Sequence, residues 1–261
     1  MELGQQVRDE RIRRRWTLAQ LAKKAAMSPG TVHRVESGGA SSVDGYARLG
    51  VALGLDMRFA LASERAQVAR RDADAVHAAM GEMEARQLRL PDRDVLLDEP
   101  YQHYQFAGRA DLLAVDRASR ALLHIENRTR FPDIQGFAGS FNAKRAYLAR
   151  EIAERVGVAG RFASETHVVV ALWSAEVLHT LRLREATFRA ICPDPPDRFA
   201  AWWSGDPPLA GLSSSLVILD PVPGRRASRR TWVGLELAQR VEPRHRGYTD
   251  ALACLRQADA A

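Results

Sequence analysis

The first sixty residues carry apolar side chains at helical spacing, which predicts a bundle of short helices. An apolar stripe opens the chain at Leu3, Val7, Ile12 and Trp16. Good N-capping residues and helix-ending glycines divide the next forty residues into further short helices, and these boundaries are Thr17, Ser28-Pro29, Gly38-Gly39 and Gly54. A last helix from Leu55 to Leu61 completes the predicted bundle.

From residue 64 onward the periodicity changes and predicts a mixture of helices and strands. Residues 64–88 predict a long, charged amphipathic helix, either a linker or the first helix of a second domain. Helices are also predicted from about Asp133 to Val156 and over residues 175–191, whereas residues 193–208, rich in Pro and Asp, predict a loop. Short apolar runs bounded by turn-forming residues predict strands over residues 95–97, 111–115, 121–126, 166–173 and 216–219.

The predicted domains follow these changes. Residues 1–62 form the helical bundle, residues 63–90 the linker or first helix, and residues 91–220 an α/β domain. Residues 221–261 are Arg-rich and weakly periodic, and they predict a basic tail whose order the sequence leaves open. The expected fold class is therefore multidomain, α followed by α/β.

The chain has a net charge of +6, and its positive charge is concentrated at the two ends. Residues 1–60 and 221–261 each carry +4, and the residues between them carry −2. A basic surface favours polyanions such as DNA through phosphate neutralisation and counterion release. Part of this charge reflects composition, because the cations are nearly all arginine and lysine occurs only as Lys23, Lys24 and Lys144.

Composition also excludes several classes of protein. Cys192 and Cys254 are the only cysteines, so neither a disulfide framework nor a four-thiolate metal site can form within the chain. No apolar run approaches the roughly 20 residues that span a bilayer. The first residues lack the basic-then-apolar layout of a secretory signal. We therefore expect a cytoplasmic location.

The segment from Thr17 to Gly39 predicts two short helices joined by a tight turn, the second helix being polar and basic. Residues 3–61 resemble the XRE (Cro/C1-type) helix-turn-helix family. The resemblance rests on Arg14, on Thr17-Leu-Ala-Gln-Leu-Ala22, on the turn at Met27-Ser28 and on Thr31-Val-His-Arg-Val-Glu-Ser-Gly38. It implies a five-helix bundle whose helix beginning at Ser28 enters the DNA major groove.

The resemblance implies a set of DNA-contacting residues: Thr17, Gln20, Ser28, Pro29, Gly30, Thr31, His33 and Arg34. An arginine can donate two hydrogen bonds to guanine, and Thr or His one bond or a methyl contact. Backbone near the start of a helix can approach phosphates closely. Leu18 departs from the family, which often has Gln there, and Gln20 lies two positions later. Glu36 is expected to pair with a helix rather than to touch DNA.

A second resemblance covers the α/β region. The segments Gly108–Val115, Leu122–Thr129 and Asp133–Gln135 are similar to the PD-(D/E)XK nuclease superfamily, in particular to nuclease-like domains that follow XRE-type domains in bacteria. The resemblance implies an αβββαβ restriction-endonuclease-like core. It places an Asp at the start of the second core strand and a Glu and a Lys, two residues apart, on one face of the third. Two carboxylates so placed can hold Mg²⁺.

Carried over to this chain, the implied site consists of Asp111 and Glu126 as metal-binding carboxylates, Arg128 at the lysine position and Gln135 on the following helix. Arginine is not equivalent to lysine, because its guanidinium does not give up a proton, although it binds phosphate well. Lys144 is the only lysine outside the first domain, nine residues after Gln135. That separation is about 900° of helical rotation, so we expect Lys144 to face away from the site.

Other polar residues of the predicted sheet are expected to matter less. Glu99 is a candidate for a further carboxylate on the first strand. His103, His124 and His167 have no metal-ligand spacing and are interpreted as ordinary sheet residues, and Trp202-Trp203 as core or interface.

Three functions remain open at this point. The first is a sequence-specific DNA-binding regulator, acting as a homodimer on double-stranded DNA, with a nuclease-like domain that does not cut. The second is a Mg²⁺-dependent DNA nuclease targeted by its helix-turn-helix. The third is an antitoxin or other partner subunit of a toxin or defence system. DNA binding by itself needs no cofactor, and Mg²⁺ is expected only if the nuclease-like site is active.

Overall fold

The computed structural model describes residues 3–55, 64–103, 106–222 and 230–259. The chain forms two compact units, residues 1–63 and residues 64–261. Among the described residues, no helix combines the length and the apolar character needed to cross a membrane.

The first unit is a bundle of short helices around a small apolar core. Its described helices are α1 Leu3–Arg13, α2 Leu18–Lys24, α3 Pro29–Glu36 and α4 Val43–Leu53. Val32 and Val35 of α3 are fully buried, as their spacing predicted. Ile12 is an exception to the predicted first stripe: α1 ends at Arg13, and Ile12 is 53% exposed. All of the predicted last helix beyond Leu55 lies outside the described residues.

Capping residues set the helix boundaries in this unit. Thr17 accepts a hydrogen bond from the backbone N–H of Gln20, whose side-chain oxygen in turn accepts one from the N–H of Thr17. Ser28 and Ser42 cap α3 and α4, each by accepting one backbone N–H. Gly54 ends α4 at φ +60°, a conformation that glycine adopts without steric cost.

One ion pair joins α1 to α3. Arg11 of α1 donates two hydrogen bonds of 2.7 Å to the carboxylate of Glu36 in α3, and a third to the carbonyl of Trp16. Glu36 is buried among the helices, and its pairing with α1 agrees with the expectation that it pairs within the bundle. A paired, bidentate geometry is what makes a buried carboxylate tolerable.

The second unit is a six-stranded mixed sheet with helices packed on it. Its strands lie in the order β1-β2-β3-β4-β5-β6. β1 to β3 are antiparallel neighbours, β3 to β5 are parallel, and β6 returns antiparallel to β5. The strands are β1 Arg93–His103, β2 Phe106–Asp116, β3 Ala121–Arg128, β4 Ser164–Leu172, β5 Gly211–Leu219 and β6 Trp232–Gly234. The helices are α5 Glu64–Leu88, α6 Ile134–Arg155, α7 Ala175–Leu183, α8 Glu185–Ile191, α9 Asp197–Trp203 and α10 Tyr248–Asp259, with a 3₁₀ turn at Leu235–Leu237.

The central strands are buried on both faces, as is typical of parallel sheets covered by helices. Alternate residues of β3 therefore enter different environments. Leu123 and Ile125 pack into the larger apolar cluster with Met80 of α5, whereas Leu122 packs into the cluster that contains Leu148 of α6. This alternation decides which polar side chains of β3 can meet on one side of the sheet.

Three parts of the second unit differ from the sequence-based expectation. The predicted loop over residues 193–208 contains α9, whose Phe199 and Trp202 are fully buried in the core. The predicted helix over residues 175–191 is broken at Arg184 into α7 and α8. Finally, residues 230–259 of the expected basic tail form β6, the 3₁₀ turn and α10.

The C-terminal elements are attached by polar contacts that hydrophobic periodicity does not reveal. Arg244 donates to the carboxylate of Asp220 and lies 3.9 Å from the centre of the Trp173 ring. Arg182 of α7 donates to the carbonyls of Ala238 and Val241. Arginine contacts of this kind hold the C-terminal segment against the sheet, so part of its positive charge has a structural use.

We predict that Glu36→Ala destabilises the first unit by about 2–4 kcal/mol, because it leaves Arg11 without its acidic partner inside the bundle. The matched control is Asp44→Ala, which breaks the solvent-exposed ion pair with Arg48 and should cost less than about 1 kcal/mol. Hydrogen exchange of α1 and α3 peptides in the full chain measures both. Equal losses in the two variants would contradict the role given to the Arg11–Glu36 pair.

Candidate functional site

The first candidate site is the exposed side of α3. Ser28, at its N-cap, accepts a hydrogen bond from the backbone N–H of Thr31 and bonds its hydroxyl as well. Pro29 occupies the first helical position, where its missing N–H costs nothing. Because Val32 and Val35 are buried, the opposite face carries His33 and Arg34, both exposed.

All eight residues expected to contact DNA lie in this part of the bundle. Thr31 is half-buried and the other seven are exposed: Thr17, Gln20, Ser28, Pro29, Gly30, His33 and Arg34. Leu18, which replaces the glutamine common in the family, is partly buried against the core. The side-chain oxygen of Gln20 is used in the capping box, which leaves its amide N–H groups for a phosphate. That these eight residues contact DNA stays a prediction.

The second candidate site is a cluster of charged groups at the carboxyl end of β3. Glu126 is 1% exposed, and both of its oxygens are bound. Its Oε1 accepts from Lys144 Nζ at 2.5 Å and lies 2.9 Å from Nε2 of His124, and its Oε2 accepts from Arg128 at 3.1 Å. Arg128 also lies 3.6 Å from Asp111, so its guanidinium bridges the two carboxylates.

The position of Lys144 overturns the expectation that it faces away. Lys144 and Gln135 do lie on opposite faces of α6, but the face assigned to the site was the wrong one. Gln135 is exposed and makes no hydrogen bond to this cluster among the described residues. Lys144 shares the buried face with Phe137, Phe141 and Leu148, and that face packs on the sheet.

The surroundings of Glu126 hold it in its charged form. Burial by itself raises the pKa of a carboxyl group, but hydrogen bonding from His124 and the charges of Lys144 and Arg128 outweigh burial and lower the pKa of Glu126 to about 2. Glu126 therefore remains ionised at neutral pH and accepts hydrogen bonds through both of its oxygens.

This arrangement does not fit a divalent cation. Mg²⁺ needs free carboxylate oxygens in near-octahedral geometry. Both oxygens of Glu126 already accept from Lys144, His124 or Arg128, and Oδ2 of Asp111 accepts from the backbone N–H of Asn127 at 2.7 Å. In the part of the chain that the structure describes, no three His, Cys, Asp or Glu side chains are arranged to hold a metal ion.

The sequence-based prediction missed three residues that border this cluster: His77, Glu84 and Asn127. His77 of α5 lies 3.1 Å from Asp111, and this contact raises the pKa of the imidazole. Glu84 of the same helix is fully buried and accepts from the side-chain amide of Asn127 at 2.9 Å. A signal for the two α5 residues was present in the sequence, because they are seven residues apart and share one face of a helix.

Glu84 and Asn127 together have more buried hydrogen-bond acceptors than donors to satisfy them. Glu84 Oε1 and Asn127 Oδ1 are buried and have no hydrogen-bond partner among the described residues. Burial raises the pKa of Glu84 to about 8, so its carboxyl group keeps a proton at neutral pH. That proton gives the pair a further donor and avoids an uncompensated charge in the core.

The remaining candidates lie elsewhere. Glu99 of β1 forms an ion pair with Arg155 and is not part of the Glu126 cluster. His103, His124 and His167 are sheet residues as interpreted, in β1, β3 and β4. His124 nevertheless links the cluster to His167, since the Nδ1 atoms of the two imidazoles lie 3.1 Å apart. Burial lowers the pKa of His167 to about 4, so this imidazole is neutral.

Comparison with known proteins bears on the first unit. Residues 2–59 match the family model of a helix-turn-helix domain. With the geometry of α2 and α3, this match identifies the N-terminal unit as a helix-turn-helix domain and supports the XRE-like character indicated by its motif. The match ends before the second unit begins. No curated protein matches the chain, and no solved structure does.

We predict that Glu84→Gln makes the chain more stable than the wild type at pH 8.5 and changes little at pH 5. In the folded protein Glu84 keeps its proton up to about pH 8, but near its ordinary pKa of 4.5 it loses it when unfolded. Between these values unfolding releases a proton, so stability falls as pH rises, by at most about 1.4 kcal/mol per unit. The neutral amide removes this loss.

Thermal melting across this pH range, with the exposed Glu82→Gln as the matched control, checks the expectation. A difference between Glu84→Gln and wild type that stays constant from pH 5 to pH 8.5 would show that Glu84 is ionised in the folded chain.

Proposed function

We propose that the protein is a sequence-specific DNA-binding regulator with a nuclease-like second domain that does not cut DNA. The observation that carries this proposal is the helix-turn-helix domain, with the polar residues His33 and Arg34 of α3 exposed and its apolar residues Val32 and Val35 buried. This is the arrangement in which a recognition helix places side chains against base edges in the major groove.

The assignment of roles within α3 follows from side-chain chemistry. Arg34 can donate two hydrogen bonds to one guanine, and His33 can donate or accept a single bond. The start of the helix, at Ser28 to Gly30, can approach a phosphate. We also propose that the protein binds as a homodimer, since readers of this type commonly use two-fold symmetry to match near-palindromic sites.

We predict that Arg34→Ala weakens binding to the preferred site roughly ten- to a hundredfold and relaxes base preference at one position, because it removes a bidentate contact. The site is first selected from random duplex DNA with the wild-type chain, then footprinted with both proteins. Arg13→Ala is the matched control, since Arg13 is exposed on α1 and pairs with Glu10. Unchanged protection by Arg34→Ala would remove α3 as the reading helix.

The proposal for the second unit rests on its topology and on its charges. The element order α5-β1-β2-β3-α6-β4 and the sheet order support a restriction-endonuclease-like core of the αβββαβ kind. Glu126 lies on β3, and Asp111 lies on β2, in the middle of the strand and not at its start as the resemblance implied. The guanidinium of Arg128 lies between these two carboxylates, so the positive charge beside them comes from a protein side chain and not from a metal ion. This supports a role in binding or in stabilising the fold rather than in hydrolysis.

A second candidate function is metal-dependent cleavage of DNA, and the position of Lys144 favours it. Strand β3 carries Arg128 at the lysine position of the motif. A lysine nevertheless reaches the site from α6, since Nζ of Lys144 lies 2.5 Å from Glu126. A divalent cation would have to bind oxygens of Asp111 and Glu126 that the guanidinium of Arg128 now contacts. Cleavage would therefore require the Arg128 side chain to move away from both carboxylates.

We predict that the wild-type chain does not nick supercoiled plasmid in either Mg²⁺ or Mn²⁺, because the oxygens of Glu126 are already bound. Gel analysis after long incubation measures this, with Asp111→Ala and Glu126→Ala prepared in parallel to expose any contaminating nuclease. Metal-dependent nicking by the wild type that disappears in both variants would establish the nuclease and overturn the proposed non-cutting domain.

A further inference from the structure

A cavity of about 530 Å³ opens beside the Glu126 cluster in the second unit. It lies between the N-terminal part of α6, the chain leaving β3 and one face of α5, and His77, Asn127 and Arg128 form its boundary with the cluster. Its volume is within the range of about 300–1,000 Å³ that is usual for small-molecule sites. All the residues that line the cavity belong to the second unit, outside the helix-turn-helix domain.

The cavity wall carries two arginines, Arg128 at the end of β3 and Arg130 two residues later, and also two aspartates, Asp74 and Asp133. Arg128 is already held by Glu126 and by the carbonyl of Asn127. Arg130 differs from it. Its guanidinium lies 5.3 Å from the centre of the Tyr248 ring, and among the described residues no acidic side chain pairs with it and no acceptor binds it.

An arginine positioned on an aromatic ring with its donors unused is suited to an anion. The cation–π contact with Tyr248 restricts the Arg130 guanidinium, so fewer rotamers are lost when it binds a ligand. Its planar array of N–H groups matches the oxygens of a phosphate, to which it can donate two parallel hydrogen bonds. The hydroxyl-bearing residue between the two arginines, Thr129, also lines the cavity.

The rest of the wall defines what else the ligand must carry. Phe131, Pro132 and Phe137 give the cavity an apolar side. The two phenylalanines are buried, so the exposed Pro132 offers most of the apolar surface on which a flat ring can pack. Two carboxylates, Asp74 and Asp133, oppose an anion. Asp133 is partly engaged, because its Oδ1 accepts from the N–H of Gly136 as the N-cap of α6. Asp74 is exposed on α5 and has no such partner among the described residues.

We propose that this cavity binds a terminal phosphate monoester that carries a flat ring, with Arg130 as the principal anion-binding residue and without a divalent cation. The ligand belongs to the chemical class of a nucleoside monophosphate, either free or at the 5′ end of a nucleic acid. Arg128 contributes positive charge to the wall while it remains bound to Glu126. The inference does not depend on DNA reading by α3.

Calorimetric titration of the full chain with adenosine 5′-monophosphate in EDTA tests the site. We expect saturable binding that Arg130→Ala weakens at least tenfold and Arg130→Lys weakens less. Adenosine, which lacks the phosphate, should not bind. Asp74→Asn should tighten binding several-fold, since it removes an opposing charge. Arg86→Ala is the matched control, an exposed arginine of α5 outside the cavity, and should bind as the wild type does.

A parallel arm identifies the source of the phosphate. Short single-stranded oligodeoxynucleotides with a 5′-phosphate and with a 5′-hydroxyl are compared in wild type and Arg130→Ala. A preference for the 5′-phosphate that Arg130→Ala abolishes assigns the site to nucleic-acid ends, whereas binding of the mononucleotide alone assigns it to a free nucleotide.

The proposal is overturned if neither the mononucleotide nor the 5′-phosphorylated oligonucleotide binds. It is also overturned if Arg130→Ala binds as well as wild type while its melting temperature is unchanged, or if binding appears only when Mg²⁺ is added.

Discussion

Glu126 is 1% exposed and places a negative charge near the carboxyl end of β3, a strand buried on both faces of the sheet. The effective penalty for burying such an ion is several kcal/mol, and removing any one partner leaves that penalty uncompensated. The described part of the second unit meets this constraint with side chains from two elements. Strand β3 supplies Arg128 and His124, and helix α6 supplies Lys144. The fold must therefore hold α6 at a fixed position on β3 for the buried charge of Glu126 to be tolerated. The local order of the domain therefore depends on this cluster.

The same constraint connects the cluster to its neighbours. Arg128 extends the charge balance to Asp111, and Asp111 in turn contacts His77 and the backbone of Asn127. On the other side of β3, Glu84 has no cation to pair with among the described residues and stays protonated instead. Two glutamates on one unit thus solve burial in opposite ways, one by pairing and one by neutralisation. Neither glutamate therefore offers a free carboxylate, and this supports the proposal that the second unit does not hydrolyse DNA.

Much of the fold was predictable from periodicity and capping, and most of the charged cluster was not. The bounds of α4 and α5 and the existence of β2 to β5 follow from local pattern, because helical and strand periods are local properties. The capping signals at Thr17 and Ser28 were likewise sufficient to place α2 and α3. α9 was missed because Pro and Asp around residues 193–197 signal a loop even when a short amphipathic helix comes directly after them. The cluster depends on information that single-element reasoning lacks. Counting along α6 correctly separated Lys144 from Gln135 by half a turn, but only the packing of α6 decides which face meets the sheet.

The central proposal for the second unit is that Arg128 and Lys144, and not a metal ion, accompany the carboxylates of Asp111 and Glu126. The most direct measurement is a crystal structure of the wild-type chain soaked in Mn²⁺, with an anomalous difference map. The account predicts that Lys144 and Arg128 remain on Glu126 and that no manganese peak lies within coordination distance of the two carboxylates. A manganese peak between Asp111 and Glu126, with the Arg128 side chain displaced from both, would contradict it.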